Sequence, residues 1–566
     1  MSLDIKQPIY VRTARGIEIS EMVTLTPQIF EVWNTGVIAD AAIAFHLESL
    51  IAPHLVTPTF PQLNAEVKSQ FANFSIQKYQ VSSPQLQLAI LKSFKVLFRD
   101  KDNLDALVTP NFSQFIVEAA ALIEPSQNVD NFDVIMEACR VLVNALYQSA
   151  TVRNGFVVHN CLYVTHLAER IFTTSLQIFN PGVQQPIFSD YTPEKLLELL
   201  YLDLRMCFVI TAMSKEAQQK LGEHTRIFVG LIRAFLDRLN KSETPIESSN
   251  RNLECTTEAL KVLFNVYCHA TDPEHAPAKA CAHQCSVIIR STKLPVQLKQ
   301  DAVNVLATIP AFVQELCPAL TVIDTSNDTT DVIYEGYNVT FVDSLLNLLK
   351  DRMDQFGNSP DVELLGTFFT VLLLLCRDIK AVRRYCRLQI LPPLRAADVE
   401  RPPESGETMR NRLIRLMSQS VGECRKIIAE FLFVLCKRSV PRMVKYCGFG
   451  HAAGLLADYG FLGHLGDTRR DSDSEDSETD DYKQVAPDVN NVTGYIQPPI
   501  RNPFEGMSEE QKEHEAMKLA NTMDKILESG VFVPSRIGPD GRPQPVQHVA
   551  ELVKDIDVEM SGDESE

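Results

Sequence analysis

Six stretches of this chain share one hydrophobic pattern: AILKSFKVLFRD (Ala89 to Asp100), EACRVLVNALY (Glu137 to Tyr147), LRMCFVITAM (Leu204 to Met213), EALKVLFNVYC (Glu258 to Cys268), AVNVLATIP (Ala302 to Pro310) and AEFLFVLCKRSV (Ala429 to Val440). Each reads as a helix with apolar residues over more than half its circumference, as a helix buried between neighbours requires. Polar or proline-containing stretches such as SNDTTD and RPPESGE separate them. The apolar stretch TFFTVLLLLC (Thr367 to Cys376) is too short for the roughly 20 residues of a membrane span and reads as one more buried helix. Alternating strand patterns and hairpin signals are nearly absent. The helices return every roughly 40 to 70 residues, more loosely than the regular period of armadillo and HEAT repeats. The expected fold is therefore all-α, a degenerate superhelical armadillo/HEAT-type repeat array in which each repeat buries its face on the next. An irregular globular helical domain is the alternative.

The pattern changes near the end of the chain. Ser508 followed by Gln511 forms a capping-box signature, and Glu509 and Glu510 stand in the first turn, where the helix dipole favours negative charge. Ala516, Leu519, Ala520, Met523, Ile526 and Leu527 then recur at three- and four-residue spacing, one narrow apolar stripe on a charged helix. Such a helix needs a groove to pack in. The run before it, DSDSEDSETDDY (Asp471 to Tyr482), is too acidic and serine-rich to bury an apolar core. The expected organisation is a repeat array over 1–460, a disordered acidic linker over 461–501, a separate C-terminal helix segment over 502–534, and an acidic disordered tail over 535–566.

The net charge of −18 argues against non-specific nucleic-acid or anionic-membrane binding, although much of it sits in the two acidic segments. The start of the chain, MSLDIKQPIYVRTARG, lacks the apolar core of a secretory signal, and the 13 scattered cysteines suit reduced core thiols, so a cytoplasmic setting without a transmembrane segment is expected. Phosphate-cradling loops and metalloprotease motifs do not occur, so no catalysis by bond making, no cofactor and no metal are expected. The one Cys/His cluster, Cys268, His269, His275, Cys281, His283 and Cys285, is interleaved rather than paired as zinc ligands are. There Cys268 reads as core and the surroundings of His275 as a loop.

Two of the repeat helices carry an asparagine after their apolar triplet, Asn144 in VLVN and Asn265 in VLFN. An amide there can donate to and accept from a bound peptide backbone, and it can equally make an internal helix-to-loop hydrogen bond. Basic residues punctuate the same helices: Lys95 and Arg99, the run RDIKAVRRYCR (Arg377 to Arg387), then Arg442 and Lys445. They suit a partner's carboxylates, or else form solvated helix ends. Ser472 stands three residues before Glu475 and Ser477 three before Asp480, the pattern an acidophilic casein-type kinase prefers.

The stretches LQILPPLR (Leu388 to Arg395), AEFLFVLCKRSVPRMVKYCGFGHAAGLLA (Ala429 to Ala457) and NPFEGMSEEQKEHEAMKLANTMDK (Asn502 to Lys525), with the acidic run ending in Asp481-Tyr482-Lys483, resemble synembryn, the family of non-receptor guanine-nucleotide exchange factors and folding chaperones of heterotrimeric G-protein alpha subunits. The resemblance implies an armadillo/HEAT superhelix whose groove takes the C-terminal helix of an alpha subunit, GDP-bound or nucleotide-free and without beta-gamma. It places groove contacts at Lys95, Arg99, Asn144, Phe208, Phe264, Asn265, Lys380, Arg383, Arg384 and Arg442, and phosphorylation at Ser472 and Ser477. It also implies that the C-terminal helix, through Ala516, Leu519, Ala520, Met523 and Leu527, docks on the nucleotide-binding domain of the partner, and that the protein is recruited to the cell cortex through its partner. An armadillo-type peptide adaptor without exchange activity is the competing reading; it has no need of that second attachment.

Overall fold

The apolar stretches are helices, and five of the six touch one another in sequence order. The computed structural model describes residues 10–13, 16–19, 25–123, 131–180, 191–241, 250–271, 273–320, 331–356, 360–419, 422–462, 478–498, 506–528, 535–540 and 542–545. Chain contacts divide it into two units, Met1–Phe312 and Val313–Glu566.

The first unit opens with a hairpin, β1 (Tyr10–Thr13) against β2 (Gly16–Ile19), followed by α1 (Pro27–Asn34), α2 (Asp40–Val56), α3 (Ala65–Tyr79), α4 (Pro84–Leu97) and α5 (Phe112–Ala119). Next come α6 (Phe132–Gln148), α7 (Ala150–Phe179), α8 (Pro193–Met213), α9 (Lys215–Gly222) and α10 (Thr225–Lys241). The unit closes with α11 (Arg251–Cys268), α12 (His275–Arg290) and α13 (Val296–Thr308). Helices α2, α4, α6, α8, α11 and α13 form a ladder, each packed on the next, and α7, α10 and α12 cover it from behind. A ladder helix has a neighbour on each side and one behind, which is why its sequence is apolar over most of its circumference. The ends are locally encoded. Ser83 and Thr192 cap α4 and α8 by accepting from Leu86 N and Lys195 N, each with proline at the first helical position. At the N-terminal end an aromatic core joins four elements, with Phe30 and Trp33 edge-to-face at 5.6 Å, Phe71 4.8 Å from Phe94, and Phe94 5.2 Å from Phe112.

Deeper in the unit lies a buried ion pair. Arg170 of α7 donates from Nε and Nη2 to the two carboxylate oxygens of Asp203 of α8, at 2.9 and 2.6 Å, with side-chain exposures of 1% and 0%. Its remaining nitrogen donates to Ala120 O beyond α5, and Nη2 also lies 3.5 Å from Cys139 Sγ of α6.

After a short turn, α14 (Pro310–Val313), the second unit has a hairpin β3 (Ile333–Tyr334) and β4 (Tyr337–Asn338), then α15 (Thr340–Phe356), α16 (Gly366–Asp378) and α17 (Lys380–Ile390). These are followed by α18 (Met409–Gln419), α19 (Glu423–Leu435), α20 (Val440–Cys447), α21 (Phe449–Asp458), α22 (Asp480–Val485), α23 (Glu509–Glu528) and a last hairpin, β5 (Ser535–Ile537) with β6 (Pro543–Pro545). The stretch TFFTVLLLLC lies in α16, packed between α17 and α19.

Four expectations change. Of the expected acidic linker over 461–501, residues 478–498 pack within the second unit, where Tyr482 supplies the buried anchor that the acidic composition hides, at 5% exposure, and 463–477 and 499–501 lie outside the described residues. Part of the expected tail, 535–545, forms a hairpin, and two further hairpins occur where few strand signals were read. Cys268 is exposed rather than core, since α11 ends there. His275 begins α12 rather than lying in a loop, because Pro277 falls in the first turn, where a missing N–H costs nothing.

Truncating the buried pair on one side leaves a desolvated charge. Asp203→Ala is expected to lower stability by about 3–5 kcal/mol, while the double change Arg170→Met with Asp203→Leu recovers most of that loss. Denaturant unfolding followed by far-UV circular dichroism checks this, and a single-variant loss below about 1 kcal/mol would contradict it.

Candidate functional site

Within the first unit, the ladder brings the expected groove residues to neighbouring helices and shows an arrangement the sequence analysis missed. In α6 Glu137, Arg140 and Asn144 stand at the same spacing as Glu258, Lys261 and Asn265 in α11. In both copies the glutamate is buried and is met by a cation from the preceding ladder helix and one from its own. Lys95 of α4 pairs with Glu137, whose other oxygen accepts from Arg140 at 2.9 Å. Arg205 of α8 donates to Glu258 at 2.9 Å, and Lys261 reaches the same oxygen at 3.1 Å. Each cluster thus holds two half-exposed cations around one buried carboxylate, a net positive spot on an acidic protein. Phe208 lies between the cations of the second cluster, its ring centroid 5.3 Å from Arg205 Cζ and 5.2 Å from Lys261 Nζ. The repeated spacing of glutamate, base and asparagine was the available signal for Glu137, Arg140, Glu258 and Lys261; Arg205, on α8, lies outside that spacing.

The two asparagines behave differently. Asn265 donates to Phe208 O at 3.3 Å and Thr211 Oγ1 at 3.0 Å, so its NH2 group ties α11 to the end of α8. Asn144 is half-buried and makes no side-chain hydrogen bond among the described residues. Phe264 is half-buried beside Asn265. Arg99 is half-buried and committed within the chain: its Nη1 donates to the carbonyls of His54, Thr57 and Thr59 at 2.6, 2.9 and 3.2 Å, closing the end of α2.

In the second unit Lys380 and Arg383, at the start of α17, line an open depression together with Arg377, Lys437 and Arg438; Asp378 is the carboxylate among its lining residues. Lys437 and Arg438 both adopt left-handed backbone, φ +57° and +55°, held by Lys437 N to Val434 O at 2.9 Å and Arg438 N to Phe433 O at 2.8 Å. Two such non-glycine residues cost about 1 kcal/mol or more each, and the turn brings two more cations to the depression. Arg384 makes a two-oxygen contact with Glu335 of the β3–β4 turn, at 2.9 and 3.0 Å. Arg442 lines a neighbouring recess with Arg387, Leu391 and Tyr446.

The C-terminal helix α23 is capped as its sequence implies: Ser508 N donates to Gln511 Oε1 at 3.1 Å and Gln511 N to Ser508 Oγ at 3.3 Å. Of its stripe, Leu519 is 62% and Ile526 43% exposed and Ala516 is exposed beside them; Met517 is 69% exposed. The side chains of Ala520, Met523 and Leu527 lie outside the described residues, as do Ser472 and Ser477. No group of three or more His, Cys, Asp or Glu among the described residues is placed to hold a metal; Cys281 and Cys285 are buried. Nor is any described helix long and apolar enough to cross a membrane.

The sequence model of the Ric8 family, described as guanine nucleotide exchange factor synembryn, matches residues 90–542, from within α4 to the turn before β6. The chain belongs to this family. It is similar to Chaperone ric-8 of Caenorhabditis elegans, 33% identical over 539 residues that cover 86% of this chain and 93% of that protein. It is similar also to Chaperone Ric-8A of Danio rerio, 31% identical over 82% of this chain and 86% of the relative. Among solved structures SYS-1 aligns at TM-score 0.44 and 13% identity over 80% of this chain and 69% of that one. The synembryn match takes in both Glu-centred clusters, the α17 depression and α23.

Arg99, bonded to three carbonyls, and Arg383, at the rim of the depression, should separate in stability measurements. Arg99→Ala is expected to cost about 2 kcal/mol, because three carbonyls lose a charged donor, whereas Arg383→Ala changes stability by less than about 0.5 kcal/mol. Denaturant titration of the two variants checks the contrast, and equal losses would contradict it.

Proposed function

We propose that this chain is a guanine-nucleotide exchange factor and folding chaperone for heterotrimeric G-protein alpha subunits, acting by binding rather than by bond making. Membership of the synembryn family supports this, and the observation that carries the mechanism is α23: a well-capped helix on which Ala516 and Leu519 of the apolar stripe are exposed. An amphipathic helix left open in this way suits a groove on another protein. In the proposed mechanism the ladder face of the first unit around Lys95, Asn144, Phe208, Phe264 and Asn265 holds the C-terminal helix of the alpha subunit, and the basic surface of α17 in the second unit offers a separate contact for the partner's carboxylates. The helix α23 takes the nucleotide-binding domain.

Two separated attachments give exchange a physical cause. Drawing the terminal helix of the partner away from its own sheet weakens the nucleotide site, and the second contact holds the opened form. Binding energy invested in the nucleotide-free state favours GDP loss, and by linkage GTP binding favours release of the exchange factor. The same preference stabilises a nascent, open subunit, which is chaperoning. Phosphorylation of Ser472 and Ser477 by an acidophilic kinase would add up to roughly two charges per site, able to meet the cations of the α17 depression. Recruitment to the cell cortex would follow from the partner.

Release of labelled GDP from a purified inhibitory-class alpha subunit tests the proposal, with the full chain and with a version ending at Asn502. The full chain is expected to accelerate release at least tenfold more than the truncated one, while both bind a peptide that reproduces the last helix of the partner. Equal acceleration by the two would overturn the role given to α23.

A further inference from the structure

The two Glu-centred clusters of the first unit are copies of one device, and the distance between the copies bears on what they can hold. In each, one buried carboxylate faces two half-exposed cations: Glu137 with Lys95 and Arg140, Glu258 with Arg205 and Lys261. One negative charge against two positive ones leaves each cluster in cationic excess, at a rim where a second carboxylate is attracted. Arg140 gives Nη1 to Glu137, and Arg205 gives Nη1 to Glu258. A guanidinium carries more N–H donors than one carboxylate oxygen can accept, so such a cluster can take a further anion without giving up its glutamate.

Both spots are bounded along their helices. One turn before Glu258, Arg251 is shared by Glu198 of α8, at 2.6 Å, and Glu254 of its own helix, so the face is net negative there. Asp133 is exposed at the matching place on α6, one turn before Glu137. One turn beyond the bases stand the neutral amides Asn144 and Asn265. Next to the first cluster, Lys92 of α4 is paired with Glu48 of α2 at 3.4 Å. A carboxylate is therefore favoured at one level of the ladder, the level of Arg140 and Lys261.

That level recurs two rungs apart, since α4 packs on α6, α6 on α8 and α8 on α11. Neighbouring packed helices lie about 8–10 Å apart, which separates the clusters by about 16–20 Å. A helix laid across the rungs advances about 1.5 Å per residue, so about three to four turns, or about 11–14 residues, cover that span and return to the same face. We propose that the two clusters are paired carboxylate receptors for the terminal helix of the alpha subunit, which crosses the rungs from α6 to α11 and presents two carboxylates about three to four turns apart on one face. Arg140, Arg205 and Lys261 thereby join the groove as residues that select a partner by the spacing of its acids. The inference rests on the proposed binding of that helix by the first unit, and it adds the direction of the helix and the pattern it must carry. A helix lying in the furrow between two rungs meets one cluster only.

Double-mutant cycles on the full chain test this. Arg140→Met and Lys261→Met each remove one cation and leave the other on its glutamate; circular dichroism and denaturant unfolding check that the fold is kept, and Arg140→Gln or Lys261→Gln replaces a variant that loses it. The probe is a synthetic peptide of about the last 20 residues of an inhibitory-class alpha subunit, long enough to span both clusters. It is used in its native form and with each carboxylate neutralised in turn, side chains and chain terminus alike, as the amide. Each substitution is expected to weaken binding of the native peptide about fivefold. Neutralising one carboxylate is expected to make binding insensitive to Arg140→Met, and neutralising another to make it insensitive to Lys261→Met, the two standing about 11–14 residues apart. The inference is overturned if either substitution changes affinity by less than about 1.5-fold, if neither couples to a carboxylate, if both couple to the same one, or if the coupled pair lies within about two turns. A native chain that does not bind the peptide at all overturns the proposed groove instead.

Discussion

The bidentate contact of Arg170 with Asp203 is the constraint on which the first unit turns. Two charges at 1% and 0% exposure are tolerated only because every strong donor and acceptor around them is used: both carboxylate oxygens, the Ala120 carbonyl and the sulfur of Cys139. Those groups come from α5 to α8, so one side chain fixes the relation of the back helix α7 to two rungs of the ladder. A smaller version holds the first rungs, where Lys68 of α3, fully buried, meets Asp100 at 2.6 Å. In the second unit Arg410 is buried and donates to Tyr446 O and Asp398 O, and the low-dielectric site pulls its pKa below the ordinary arginine value. In each case a cation closes a corner between helices by satisfying carbonyls or a carboxylate that helix geometry alone leaves over.

Such corners also explain which parts of the molecule the sequence disclosed. The rungs α4, α6, α8, α11 and α13 were legible because burial on several sides makes a helix apolar in a way that needs no knowledge of its neighbours. The capping box of α23 was legible because it spans four residues. Arg99 looked like a surface cation, since nothing in KVLFRD tells that its target is a set of carbonyls more than 40 residues upstream. The packing of 478–498 was hidden for the same reason: an acidic run signals poor burial, and its anchor is one tyrosine, Tyr482, whose neighbour Lys445 lies in another segment. The Glu-centred clusters were hidden differently. Glu137 and Glu258 read as polar helix positions, and only their matching spacing, glutamate to base to asparagine, sets them apart.

In the proposed mechanism function divides between the helical body and α23. The helical body presents cations that buried carboxylates hold in place, so that little side-chain entropy is left to lose when a partner arrives. In α23 Ala516 and Leu519 are exposed, an apolar surface that the proposed docking on a partner would bury. The proposed exchange by binding uses both elements, one to hold and one to follow a partner whose shape changes.

The distribution of thiols has a practical consequence. All 13 cysteines are free; twelve are buried, several with pKa values raised by desolvation, such as Cys447 at about 12, and Cys268 alone is exposed. The chain also contains one tryptophan, Trp33, enclosed in the aromatic core of the same unit. The native sequence thus carries a single excitation donor and a single readily labelled acceptor position at the C-terminal end of α11, close to Asn265 and Phe264. A maleimide dye on Cys268 would turn the first unit into its own molecular ruler, without removing or adding a residue.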